Sequence, residues 1–191
     1  VAVTEAHNEL LRFYYTPKVS YLCDELYEQE EKSCWELCCP ENVGRWSAVG
    51  YYFARKLAAQ LDVPVGIIGC NWGGTSASCW MSREALENDK VISSYVEEYD
   101  AIVAEQDFDA YCKEREEYIV YQAEFDKNCK HYYETTPNPT WEGALEVCGE
   151  NKYPGPMGPR SEYRPAGLYE TMIQRIAPYT LAGFLYYQGE E

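Results

Sequence analysis

The sequence predicts an α/β fold, a parallel sheet flanked by helices and interrupted by an acidic helical insert. Three observations lead there. Two short apolar runs, Val65–Gly69 and Leu181–Gln188, each pass straight into a polar cluster containing glycine. A helix-period pattern precedes each run, and the order helix–strand, helix–strand is that of right-handed parallel crossovers. Between the two units, residues 97–150 carry 15 acids and 4 bases and keep a helical period.

Leu10–Thr16 (LLRFYYT) reads as a first strand, ended by Pro17. Residues 18–45 show no clear period and read as a loop with short structure. Ser47 is a good N-cap. After it, Val49, Tyr52, Phe53, Leu57 and Leu61 recur at helical spacing, predicting a helix to about Gln60 with those residues inward. Pro64 opens the next strand. Ser82 can cap a helix beginning at Arg83. Ile92, Val96, Tyr99 and Val103 form one stripe. Phe108, Tyr111, Cys112, Tyr118, Ile119, Gln122, Phe125 and Cys129 form a second, capped by Asp107. Together they predict a helical hairpin, an insert over about 92–133. Thr135–Gly158, with several Pro and Gly, reads as irregular loop. Leu168, Met172, Ile173 and Ile176 make the face of a last helix, stopped by Pro178. The run Leu181–Gln188 then reads as a strand.

Composition excludes several functions. A net charge of −16 argues against nucleic acid, whose phosphates require a basic face, and against anionic membranes. No run of 18 apolar residues exists, so no membrane-spanning helix is expected. The acidic stretch reads as a solvated helix surface. The 9 cysteines are an odd set, whereas a disulfide framework usually uses an even one. Cys34-x3-Cys38-Cys39 has no second Cys/His cluster at zinc spacing. With no signal peptide visible, the expectation is reduced thiols in a reducing, cytoplasmic setting, and no metal. The charge and length set no oligomeric state.

The chemistry concentrates at the strand ends. In open α/β sheets, ligands bind outside the carboxyl ends of the strands. After Val65–Gly69 come Asn71, Gly73, Gly74, Thr75 and Ser76, a tight turn whose bare backbone N–H groups can approach a substrate oxygen. Both glycines also suit a plain positive-φ turn. Trp72 and Trp80 could stack on a sugar, but a Trp beside a turn is more often core. Arg164 could pair with a substrate carboxylate; a salt bridge tying its loop down is the blander role and is favoured. Ser76 and Ser78 do not sit in Gly-x-Ser-x-Gly, so no nucleophile elbow is present.

The residues also carry a resemblance. Pro64–Trp80, PVGIIGCNWGGTSASCW, resembles the PVGLI-x-x-SWGGT-x-x-x-AW signature of the sialate O-acetylesterase family, a branch of the SGNH hydrolase superfamily. The closing YYQGEE resembles that family's WYQGESN. Trp46–Leu57 (WSAVGYYFARKL) is similar to FSAVGYFFGREL, and Arg164–Pro178 (RPAGLYETMIQRIAP) to RPSGLYNGMI-x-P-L. The four segments keep the family's order and cover about half the chain.

The resemblance implies an SGNH-hydrolase-like (flavodoxin-like) sheet, here incomplete, over residues 1–191. It implies serine ester hydrolysis that removes acetyl groups from an acetylated carbohydrate, without cofactor. It assigns one oxyanion donor to the backbone N–H of Gly74, with Gly73 the near alternative. It assigns a second to the Gln188 amide or to an Asn that would follow Glu191. Glu190 matches a Glu expected to brace the site; Gly73, Glu190 and Arg164 are candidates for substrate contact. The family often has Glu where Ser78 stands, which weakens transfer of sialate specificity. The family's GQSN-like serine motif and Asp-x-x-His motif do not occur here; neither His7 nor His131 has Asp three residues before it. The expectation is an internal piece of a longer protein. A non-catalytic SGNH-like module, carbohydrate-binding or structural, is the alternative.

Overall fold

The computed structural model describes residues 3–187. They form a mixed α/β structure with two compact units, 3–82 with 166–187, and 83–165.

The first unit is built on a three-stranded sheet in the order β2-β1-β3. Strand β1 is Asn8–Tyr15, helix α1 Asp24–Lys32, strand β2 Glu36–Cys38 and helix α2 Pro40–Val43. Helix α3 is Ala48–Leu61 and strand β3 Val65–Gly69. β1 and β3 run parallel in the register Leu11↔Val65 to Tyr15↔Gly69, as expected. β2 runs antiparallel to β1, so the sheet is mixed and not purely parallel. The two parallel strands are joined through α3, whose N-cap is Ser47; its hydroxyl accepts the Gly50 N–H at 3.2 Å.

The buried face of α3 differs from the expected one. Gly50, Tyr51, Ala54 and Ala58 are buried, while Val49, Tyr52, Phe53 and Leu61 are exposed. The reason is distance. A Cβ on Gly50 would stand 3.3 Å from Ile67 Cγ2, so the helix uses its small residues to lie close on the sheet. The core beneath holds Leu11, Phe13, Cys38, Val43 and Trp46, with Phe13 stacked on Trp46 at 5.2 Å. On β3, missing side chains matter as much as present ones. A Cβ on Gly69 would meet the Phe13 ring at 2.7 Å, and one on Gly66 the Trp35 ring at 2.9 Å.

After β3 comes a short 3-10 turn, Ala77–Trp80. The unit resumes at Ala166 with a π-helical turn over Tyr169–Ile173, followed by α8, Gln174–Ile176 in this numbering. The helix stops there, before Pro178. The strand expected over Leu181–Gln188 does not form among the described residues 181–187. Phe184, Tyr186 and Tyr187 are 87%, 86% and 82% exposed. A strand exists only through its ladder, and residues 181–187 have no strand partner here.

The second unit is helical: α4 Arg83–Glu87, α5 Ser93–Ala104, α6 Phe108–Thr135 and α7 Trp141–Cys148. Asp107 caps α6 by accepting the Ala110 N–H at 2.8 Å. Residues 92–133 are thus almost wholly helical and outside the sheet. α7 falls in the stretch expected to be loop. Thr140 caps it through the Gly143 N–H, and Gly149, at φ +96°, ends it. The signals were there, but Pro137, Pro139 and Gly143 masked an eight-residue helix that packing on α6 stabilises. Residues 155–162 are pinned to α6: the Tyr111 hydroxyl accepts the Arg160 N–H at 3.1 Å, and Arg115 pairs with Glu162 at 2.7 Å.

Candidate active site

The parallel pairing of β1 and β3 brings Thr16 and Cys70 to one sheet edge. Thr16 is buried; its backbone N–H and its hydroxyl both donate to the Gly69 carbonyl at 3.0 Å. The Cys70 thiol is hydrogen-bonded to the Thr16 side chain, and burial pushes its pKa up despite that bond. Cys70 is therefore held as a thiol, not poised as a nucleophile.

The glycine turn leaves the sheet from this edge. Gly74 has φ +74°, in the left-handed region that favours glycine. Gly73 faces open space, with nothing within 4 Å of where a Cβ would sit. Thr75 closes the turn from below. It is 2% exposed, and its hydroxyl donates to the Trp72 carbonyl at 2.6 Å while accepting the Trp80 indole N–H at 2.9 Å. Threonine suits both tasks, because a hydroxyl donates once and still accepts.

The platform continues beyond the turn. Ser76 and Ser78 bond to each other through their hydroxyls at 2.8 Å, and Ser76 also contacts the Cys79 sulfur at 3.5 Å. Neither hydroxyl is arranged as an activated nucleophile, which agrees with the missing Gly-x-Ser-x-Gly. The Ser78 carbonyl accepts the Ala166 N–H at 2.9 Å, tying the loop to the segment before the π-helical turn. Cys79, Leu168 and Met172 are buried together there, with Cys70, Trp72 and Trp80 against them. Burial pushes the Cys79 thiol's pKa up, against the lowering effect of its hydrogen bonds with Ser76 and Ser78. Both tryptophans are half-buried and pack against this cluster.

Chemically, the turn is a solvent-exposed stretch of backbone on a hydrogen-bonded base. Backbone N–H groups at the carboxyl edge of a sheet can meet a developing negative charge without reorganising. The remaining sequence candidates fall elsewhere. Gln188 and Glu190 lie outside the described residues. Arg164 belongs to the second unit, half-buried in a turn where its N–H donates to the Ser161 carbonyl at 3.3 Å. Thr16 and Ala166 are structural supports that motif reading passed over, and the bond between Thr75 and Trp80 is one that it did not foresee. The sequence signal was the Thr directly after Gly-Gly, with a Trp five residues on.

Neither of two concave regions is lined by residues of the glycine turn. One of about 500 Å³ is lined by Trp141, Leu145, Gly149, Glu150 and Asn151. The other, about 680 Å³, includes His7, Cys34, Trp35 and Glu36. Among the described residues, no group of three or more His, Cys, Asp or Glu is gathered as metal ligands.

No family model matches the chain. A sialate O-acetylesterase of Rattus norvegicus is 44% identical over 41 residues, which is 22% of this chain and 8% of that protein. The Homo sapiens sialate O-acetylesterase is 36% identical over 58 residues, 28% of this chain and 11% of that protein. The matched segments therefore span about a tenth of these relatives' length. A solved carbohydrate acetylesterase, XAC1771 from Xanthomonas citri, is 33% identical, with TM-score 0.38, over 47% of this chain and 20% of its own. Over its matched segments, the chain resembles the sialate O-acetylesterase family.

Proposed function

We propose that this chain forms part of a carbohydrate acetylesterase that removes O-acetyl groups from sialic acid or another acetylated sugar by serine ester hydrolysis. Attack on the acetyl carbonyl creates a tetrahedral intermediate with a negative oxygen. The Gly74 N–H, with Gly73 as near alternative, donates to that oxygen from the ledge at the end of β3. The Gln188 amide, or an Asn following Glu191, supplies the second donor. Glu190 braces the site, and Arg164 contacts substrate or ties its loop. No GQSN-like or Asp-x-x-His motif occurs in these residues, so the nucleophile and the base come from elsewhere in the protein. The domain is a partial SGNH-like one with a flavodoxin-like sheet and the helical insert at about 92–133.

The observation that carries the reading is the glycine turn itself, aimed out of the carboxyl edge of two parallel strands and braced by Thr75. The similarity to sialate O-acetylesterases supports the choice of ester and sugar. The test is acetate release from O-acetylated sialic acid and O-acetylated sugars by the full-length protein. Replacing Gln188 by Ala there should lower turnover by ~10²–10³ with little change in substrate binding, as for loss of one transition-state donor. A folded full-length protein that binds these sugars and releases no acetate would establish a non-catalytic module instead. The 191-residue chain alone is expected to hydrolyse p-nitrophenyl acetate no faster than buffer.

A further inference from the structure

In the second unit, two cysteines meet where α6 and α7 pack. Cys129 lies one turn after Phe125 on α6, and Cys148 is the last residue of α7. Phe125, Cys129 and Ala144 are buried together, and Cys148 packs against that cluster. The two thiols are near enough that Cys148 raises the pKa of Cys129. Their placement is held from both ends. Trp141, opening α7, meets the Phe125 ring edge-on at 6.3 Å. Beyond Cys148, the Tyr121 hydroxyl donates to the Glu150 carbonyl at 2.7 Å. Other buried cysteines have different settings. Cys38 sits in the core under α3, Cys79 beside Leu168 and Met172.

We propose that Cys129 and Cys148 are a redox-active dithiol whose oxidation to a disulfide locks α7 onto α6. A disulfide needs two sulfurs that can reach bonding distance without large backbone movement, and the packing of α7 on α6 places both in one cluster. Cys148 is the more exposed, so it reacts first. Its thiolate attacks one sulfur of a small-molecule disulfide, RSSR. A Cys148–S–S–R bond forms, and the departing RS⁻ takes up the proton that Cys148 released. The Cys129 thiolate then attacks the Cys148 sulfur, expels the second RS⁻, and gives up its own proton to it. Two protein thiols are oxidised and RSSR is reduced to two RSH. Burial and the neighbouring thiol raise the Cys129 pKa, so the closing step should quicken as pH rises. The bond would stiffen the wall of the cavity lined by Trp141, Leu145 and Gly149.

The experiment incubates the whole chain with oxidised glutathione, quenches with acid, alkylates remaining thiols and digests with trypsin. The expected product joins the peptide Asn128–Lys130 to His131–Lys152 through one disulfide. The oxidised protein should melt several degrees higher than the reduced one. In Cys148→Ser, which removes a half-buried thiol only, neither the linked peptide nor the shift should appear. A lasting glutathione adduct on Cys148 with Cys129 still alkylated would overturn the proposal, as would Cys148 linked to a different cysteine. A linked peptide with no change in melting would overturn the locking. The readouts are independent of any esterase activity.

Discussion

Val65–Gly69 and Leu181–Tyr187 look alike as sequence and differ completely as structure. Each is a short apolar run ahead of a Gly-containing polar cluster. The first is a strand, laddered to β1 through five register pairs and covered by α3. The second makes no strand among the described residues, and its aromatic side chains stand in solvent. The difference teaches that apolar character nominates a strand, while a partner edge and a covering layer create it. β3 has both. Its two glycines even make room for rings from its neighbours, Phe13 and Trp35.

The sharpest way to break this comparison is to empty the core under β3. Phe13 is fully buried against Trp46 and Tyr15. Phe13→Ala should cost ~3–5 kcal/mol, enough to unfold a marginal unit, as read by urea denaturation. A loss below about 1 kcal/mol would mean that the aromatic cluster does not hold β1 to β3. Gly69→Ala tests the same packing by addition. Its Cβ would press 2.7 Å from the Phe13 ring, and overpacking of this kind costs ~1–3 kcal/mol. Adding Phe13→Leu should recover part of that loss if the clash is the cause.

The brace beneath the glycine turn gives an effect of similar or smaller size. Thr75→Val keeps the shape and removes the hydroxyl. It leaves the Trp80 indole N–H without its acceptor, a loss of ~1–3 kcal/mol. Trp80 fluorescence should shift with it, since the indole environment changes. Gly74→Ala puts a Cβ at φ +74° and should cost ~1–2 kcal/mol. A neutral outcome would show that the turn relaxes to a conformation open to any residue. The smallest effect belongs to the other run. Phe184→Ala should change stability by no more than ~0.5 kcal/mol, because the ring is 87% exposed. A loss comparable to that of Phe13 would place residues 181–187 in a packed strand after all.

Part of the helical layout was legible because its signals are local. Ser47 and Asp107 sit where an oxygen can accept a backbone N–H from the first helical turn, and each does so. Pro64 precedes β3, and Gly74, at φ +74°, marks a turn that an ordinary side chain would strain. The candidate site was legible only as a backbone feature. Its supports were not, because Thr75 gains its role from an indole five residues away and from burial that no short pattern encodes. α3 shows the limit of periodicity. Val49, Tyr52, Phe53 and Leu61 form a convincing apolar stripe, yet they face outward. Hydrophobic spacing identifies a helix but does not say which apolar face meets the sheet when both faces qualify.

Residue order alone settled what depends on a few neighbouring bonds: where α3 and α6 start, where Gly74 turns the chain, and that the acidic middle is helical. Long-range packing settled the rest. It chose the small face of α3, because close approach to β3 excludes the larger side chains. It turned β2 antiparallel to β1, and it left residues 181–187 outside the sheet. These outcomes depend on which surfaces are present to be covered, and the free energy of burying a side chain is realised only where a partner surface exists.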